Sequence, residues 1–285
     1  MTTIESSKAL VDLIKSESER LKDYVSALPP EALDRPSPCE DWNVGEVIAH
    51  LDWFAEIYGG MMERGIRGDL SPTEGFPAVP GTLSGPGIAE LYGRSAIELR
   101  RSLGQDLLPA FCERYDLLND MLQGIGPDDW DKPCYHTNGI RPVESFVPII
   151  VAELAVHEWD IRSTLEPSPH LSEKSLPALM KKLPSNRRPW STPFETPVTG
   201  PGPIYYRFEL EGAVSGRQDV IVENGKARLE PSCDAAADVS IRCHSEILAL
   251  LVYGRLTLDS AAAAGLAKVE GDGELVSSFD RWLKG

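Results

Sequence analysis

Long apolar runs are missing from this chain. No stretch approaches the roughly 20 residues needed to cross a bilayer, and the best candidates, such as residues 146–152, are far shorter. A membrane partner is therefore not expected. Cysteine is sparse: the five residues Cys39, Cys112, Cys134, Cys233 and Cys243 are odd in number and contain no C-x-x-C pair, so neither a zinc ribbon nor a dithiol redox motif is encoded. Cationic charge is short as well. Lys plus Arg total 28 against 44 Asp plus Glu, leaving a net charge of −16 that repels polyphosphate backbones and argues against nucleic acid as a partner. The first eight residues carry an acid and no apolar signal region, which argues against secretion by that route. The expectation is a cytoplasmic protein with reduced thiols, a monomer or small homo-oligomer, without internal repeats or a low-complexity tail.

What is present suffices for two ordinary cores, since 285 residues are 42% hydrophobic. Leu10, Ile14, Leu21, Val25 and Leu28 recur at helical spacing until Pro29-Pro30 stops the pattern. Asn43 is a candidate N-cap for a second helix carrying Val47, His50, Leu51, Phe54, Tyr58 and Met62. After a Gly- and Pro-rich loop over 65–87, helical periodicity runs from Ile88 to about Leu103 and resumes after Pro109, as one kinked helix or two. Pro142 suits the first turn of a fourth segment whose stripe is Phe146, Ile149, Ile150, Glu153, Leu154, His157 and Ile161. Periodicity fades over 166–203, which reads as a linker or cover loop. Beyond it, residues 204–210, 219–222, 227–229 and 238–243 read as strands, with Asn224-Gly225 as a hairpin turn, and short helices follow near 245–253 and 274–283. The predicted fold class is α+β: a four-helix bundle over 1–165, a linker over 166–203 and a small α+β domain over 204–285.

The chemistry concentrates in two segments. Glu153 and His157 lie four residues apart, which on a helix puts a carboxylate and an imidazole on one face. Zinc accepts both donor types, and His50, on the inward stripe of another helix, supplies a third. Three protein ligands would leave one position open, as in catalytic zinc sites. The alternative is that these groups only hydrogen-bond inside the bundle. Asp160, three residues beyond His157, either orients that histidine or makes a simple polar contact. His136 is a candidate acid or extra ligand, although loop histidines are usually solvated. Cys39 and Cys134, with no base nearby in sequence, read as small buried hydrophobes. Trp42, Trp53 and Trp159 read as packing residues. Arg141, Arg162 and Arg255 are candidate carboxylate binders, with Arg187 and Arg188 further off, because bidentate pairing favours Arg for such groups. Arg162, five residues past His157, should face away from the metal.

The pairing of Asp41-Trp42-Asn43-Val44-Gly45-Glu46-Val47-Ile48-Ala49-His50-Leu51 with Glu153-Leu154-Ala155-Val156-His157-Glu158-Trp159-Asp160 resembles the mycothiol-dependent maleylpyruvate isomerase family, whose amino-terminal part is a DinB-like metal-binding bundle. Residues 247–255 and 269–272 are similar to that family's sterol-carrier-like second domain. The resemblance implies a divalent metal, usually zinc, on His50, Glu153 and His157, mycothiol as cosubstrate, and cis–trans isomerisation of maleylpyruvate or a similar electrophilic acid; such an acid needs cations, for which Arg255, the family-like choice, and Arg141 are the expected catalytic groups. Two other functions stay open: a thiol S-transferase acting on a xenobiotic or biosynthetic electrophile, and a non-catalytic lipid or small-molecule carrier.

Overall fold

A computed structural model describes residues 3–39, 42–82, 85–185 and 202–283, and the chain divides into two compact units, residues 1–169 and 170–285. No helix among the described residues is long and apolar enough to cross a membrane.

The first unit is helical. Its long elements are α1 (Thr3–Ser26), α2 (Val44–Ile66), α3 (Gly85–Leu103), α4 (Leu107–Gln123) and α5 (Val147–Leu165). Helix α2 packs against α3, α4 and α5, while α1 packs against α4 and α5. The expected four-helix bundle is thus α1, α2, α4 and α5, with α3 laid along α2. The region from 88 to 122 forms two helices, separated by a 3-10 turn at Gly104–Asp106. Gly104 makes the break with a φ of 54°, a left-handed conformation open to glycine. Pro109 is instead accommodated in the first turn of α4, where its missing N–H removes no helical bond. The proline that opens the last helix is likewise Pro148 in the first turn of α5. Pro142 lies in the two-residue strand β2 (Arg141–Pro142), paired with β1 (Pro133–Cys134).

Along α2, Phe54 and Tyr58 stand four residues apart and stack at 3.9 Å between ring centroids. Phe146 meets Tyr58 edge-on at 5.6 Å. Phe54 is 1% exposed and Phe146 wholly buried, and burial of each such ring stabilises the unit by about 1.5–3 kcal/mol. The β1–β2 hairpin reaches this core because Gly65 lacks a side chain: a Cβ there would lie 2.1 Å from Cys134 Sγ and 2.7 Å from the Pro133 carbonyl.

The second unit holds α6 (Leu176–Lys182) and a five-stranded sheet of β3 (Ile204–Glu211), β4 (Gly216–Glu223), β5 (Lys226–Pro231), β6 (Val239–His244) and β7 (Ala267–Gly271). The order is β5-β4-β3-β6-β7. Only the central β3–β6 pair is parallel, with Phe208 opposite Ile241. Asn224 and Gly225, at φ of 52° and 72°, turn β4 into β5, the conformation that an Asn-Gly hairpin favours. Tyr206 and Phe208 pack on Phe279 at 4.9 and 5.7 Å, in the last of the helices α7 (Ser245–Val252), α8 (Leu258–Ala263) and α9 (Gly273–Leu283). Within the segment read as a linker, α6 buries Leu176, Leu179 and Met180; a seven-residue helix is too short to leave a periodic signature. Arg187 and Arg188 lie outside the described residues.

Candidate metal centre

Helix α2 begins at a full capping box. Asn43 Oδ1 accepts from the Glu46 amide at 2.9 Å, and Glu46 Oε2 accepts from the Asn43 amide at 2.8 Å. This pins the helix start and so sets the direction of His50, which is 3% exposed. Glu153 and His157 face it from α5. His50 Nε2 lies 3.1 Å from Glu153 Oε2, and His157 Nε2 lies 3.2 Å from the same oxygen. The two imidazole rings meet nearly edge-on, at 4.8 Å and 73°. Trp42 covers them, 5.0 Å from the His50 ring and 6.4 Å from that of His157.

These donors fit a metal ion. Ligand atoms bound at about 2.0–2.1 Å in a tetrahedron stand about 3.3 Å apart, close to the separations found, and the three donor atoms lie within 4.8 Å of one another. Glu153 keeps 29% of its side chain exposed against 4% for His50 and 12% for His157, so the carboxylate marks the open side. Behind His157, Nδ1 sits 2.9 Å from Asp160 Oδ2, and the Cys39 thiol donates to that oxygen at 3.1 Å. Asp160 is wholly buried. It therefore orients His157 from the far side, leaving Nε2 for the cluster. Cys39, His157 and Asp160 also form a ligand-like group of their own, but its Asp160 oxygen already serves the imidazole.

Protonation follows from these contacts. Burial raises the Glu153 carboxyl, yet the hydrogen bonds from His157 and His50 prevail and hold it well below the usual range. Burial lowers His157, but Asp160, Cys39 and Glu153 hold it well above the usual histidine value. His50 is pushed down, first by burial and also by the charge of His157 against it. The charge of one imidazolium thus sits where a cation between the three donors would replace it.

The other candidate residues have contacts of their own. Arg162 turns away from the cluster as expected, pairing with Glu158 and Glu166, each at 2.7 Å, and covering the Tyr24 ring. Arg141, on β2, lies near enough for its charge to act on the Tyr58 hydroxyl. Arg255 belongs to the second unit, where its Nη1 donates to the Tyr253 carbonyl at 3.0 Å. His170 pairs with Glu246 at 2.9 Å, and His244 caps α7. Two expectations are corrected. Cys39 is half-buried and hydrogen-bonded rather than an inert hydrophobe, because the base it lacks in sequence arrives from α5. His136 is 4% exposed rather than solvated, with Nε2 3.1 Å from the Tyr58 hydroxyl. Cys134 is indeed a buried thiol, its pKa pushed up to about 11 by burial. Nothing in the sequence around His136 signals its burial, since the hydroxyl it meets lies 78 residues away.

Fold and site together define a helical bundle with a two-histidine, one-carboxylate centre, followed in the chain by a mixed-sheet domain. The profile described as mycothiol maleylpyruvate isomerase N-terminal domain matches residues 14–162, and the chain belongs to that family. Residues 204–284 match the SCP-2 sterol transfer family. Among solved structures, a mycothiol-dependent maleylpyruvate isomerase aligns with a TM-score of 0.60 at 15% identity, over 90% of this chain and 93% of that one. A histidine-to-alanine mutant of the mycothiol-dependent maleylpyruvate isomerase aligns with a TM-score of 0.60 at 14% identity, over 95% and 96%. At such identity the likeness shows a common fold. A comparison with curated proteins gives no significant match.

Proposed function

We propose that this chain is a metal-dependent enzyme that uses a low-molecular-weight thiol, mycothiol, to convert maleylpyruvate or a closely similar cis-unsaturated acid into its trans isomer. The observation that carries this reading is the convergence of His50, Glu153 and His157 on one open-sided point within a bundle of this family. Zinc held there by His50 Nε2, Glu153 and His157 Nε2 would act as a Lewis acid that favours the thiolate form of a thiol at neutral pH.

The chain's own groups do the rest. Asp160 keeps His157 turned with Nε2 inward, and Trp42 shields the histidine rings from solvent. Arg141, on the side of Tyr58, supplies the positive charge that a carboxylate substrate needs in a strongly acidic protein. Thiolate addition to the cis double bond forms a C–S bond and moves the π pair onto the conjugated carbonyl oxygen. The former double bond then rotates as a single bond. Return of the pair expels the thiolate and leaves the trans alkene, so the thiol is recycled.

The test is turnover of maleylpyruvate with and without thiol, with His50→Ala as control. Thiol-dependent isomerisation lost in His50→Ala is expected. Activity that survives the substitution would sink the metal mechanism. Stoichiometric consumption of thiol would point instead to an S-transferase, and a metal-free protein with an intact fold to a carrier.

A further inference from the structure

The far side of the His157 ring closes a second set of donors. Helix α5 puts His157 and Asp160 on one face, three residues apart, and a closed loop brings Cys39 to meet them. That loop is tied across its neck by the Val44 amide on the Arg35 carbonyl and the Ser37 amide on the Trp42 carbonyl, each at 2.9 Å. Thr164 Oγ1 holds it to α5 through the Pro36 carbonyl at 2.8 Å. Cys39 Sγ thus lies 3.1 Å from Asp160 Oδ2 and 3.8 Å from His157 Nδ1, and Nδ1 lies 2.9 Å from that oxygen. Zinc bonds of about 2.3 Å to sulfur and about 2.0–2.1 Å to nitrogen or oxygen set tetrahedral donors about 3.3–3.5 Å apart, so each side of the triangle is within about 0.5 Å of that fit. Among the described residues, this group and the first cluster are the two sets of three donors so placed.

We propose that Cys39, His157 Nδ1 and Asp160 form a second metal site, for a thiophilic divalent cation such as zinc or cadmium. Without an ion, Asp160 Oδ2 accepts one proton from the thiol and one from Nδ1. That carboxylate is wholly buried, where adding net charge is costly. A divalent cation bound to thiolate, imidazole nitrogen and carboxylate releases both protons to solvent, so the buried charge is the same before and after. Sulfur decides the class of ion, because thiolate suits zinc and its congeners whereas magnesium and calcium take oxygen. Cys39, which is half-buried, marks the side of entry. The two sites use opposite nitrogens of one ring. With the first empty, Nε2 keeps its proton toward Glu153; with both filled, His157 bridges the ions as an imidazolate. The second site stands apart from the isomerase reading, since it involves no substrate and shares only His157 with the first centre.

Cadmium is a suitable probe, because its bond to a thiolate gives an ultraviolet charge-transfer band that bonds to nitrogen and oxygen lack. Titration of the reduced, metal-free protein is expected to take up two equivalents, one with the band and one without. Cys39→Ser should lose the band and its equivalent and keep the other. His50→Ala should do the reverse, and Cys233→Ser, at an exposed thiol, should change nothing. Circular dichroism checks each fold. Should Cys39→Ser not fold, cadmium-113 correlation spectra of the unmodified protein decide, with one ion expected to couple both to the β protons of Cys39 and to the ring protons of His157. The second site is overturned if no equivalent carries the band, if the band survives Cys39→Ser or vanishes in Cys233→Ser, or if those couplings are absent. A band lost in His50→Ala would also overturn it, by making Cys39 a ligand of the first ion. If His50→Ala leaves both equivalents in place, the first centre fails and the second stands.

Discussion

Removing the Asp160 carboxylate tests the metal centre without touching a ligand. Its Oδ2 lies 2.9 Å from His157 Nδ1 and takes the Cys39 thiol at 3.1 Å, in a side chain with no exposure. In Asp160→Ala the imidazole loses the acceptor that fixes its tautomer and ring plane. Such outer partners are worth 10–100-fold in metal affinity, or about 1.4–2.7 kcal/mol. Truncation also leaves Nδ1 facing a buried gap, so the upper half of that range, a loss of about 30–100-fold, is expected. Asp160→Asn keeps an acceptor oxygen and should lose about 10-fold. The assay is competition for zinc against a chromophoric chelator, with circular dichroism to establish that the bundle is intact. His157→Ala, which removes a ligand outright, should fall further than either. A fold-intact Asp160→Ala that binds zinc as tightly as the unmodified chain would refute the orienting role and the assignment of Nε2 to the metal.

Three other outcomes are expected. Gly65→Ala forces a methyl against Cys134 Sγ and the Pro133 carbonyl; it should destabilise by about 1–3 kcal/mol, and a melt unchanged from the parent would show the hairpin to be loosely held. Arg141→Lys should raise the KM for maleylpyruvate about tenfold with less effect on kcat, as loss of a bidentate carboxylate contact does, and an unchanged KM would remove Arg141 from the site. In the second unit, Asp219 is fully buried and bonds Arg207 Nε and Nη2 at 3.0 and 2.9 Å. Burial opposes its charge, but Arg207 and the Cys233 amide prevail and hold its pKa below the ordinary value. Its contribution is thus full above the unfolded pKa of about 3.9 and is lost as pH falls through the lower folded value. Asp219→Asn should cost about 3 kcal/mol near neutral pH and shrink to nothing at strongly acid pH, by urea titration across that range; a pH-independent cost would refute the ion pair.

Sequence periodicity reveals what one element does to itself, and its limits fall where two elements meet. The i, i+4 spacing of Glu153 and His157 and the capping residue Asn43 were legible because helix geometry alone decides both. That His50 would join them required two helices in register, which spacing cannot give and the family pattern could. The pairings of Cys39 with Asp160 and of His136 with Tyr58 span 121 and 78 residues; nothing local distinguishes those residues from solvated ones. The strand β7 was missed for a related reason: Ala267 to Gly271 alternates weakly and lies at the sheet edge, where one neighbour rather than two shapes composition. The polar residues hidden this way sit in the core beside the cluster. Burying such polar groups is costly unless they are hydrogen-bonded, and the His136–Tyr58 and Cys39–Asp160 contacts meet that cost only because the fold brings segments distant in the chain together.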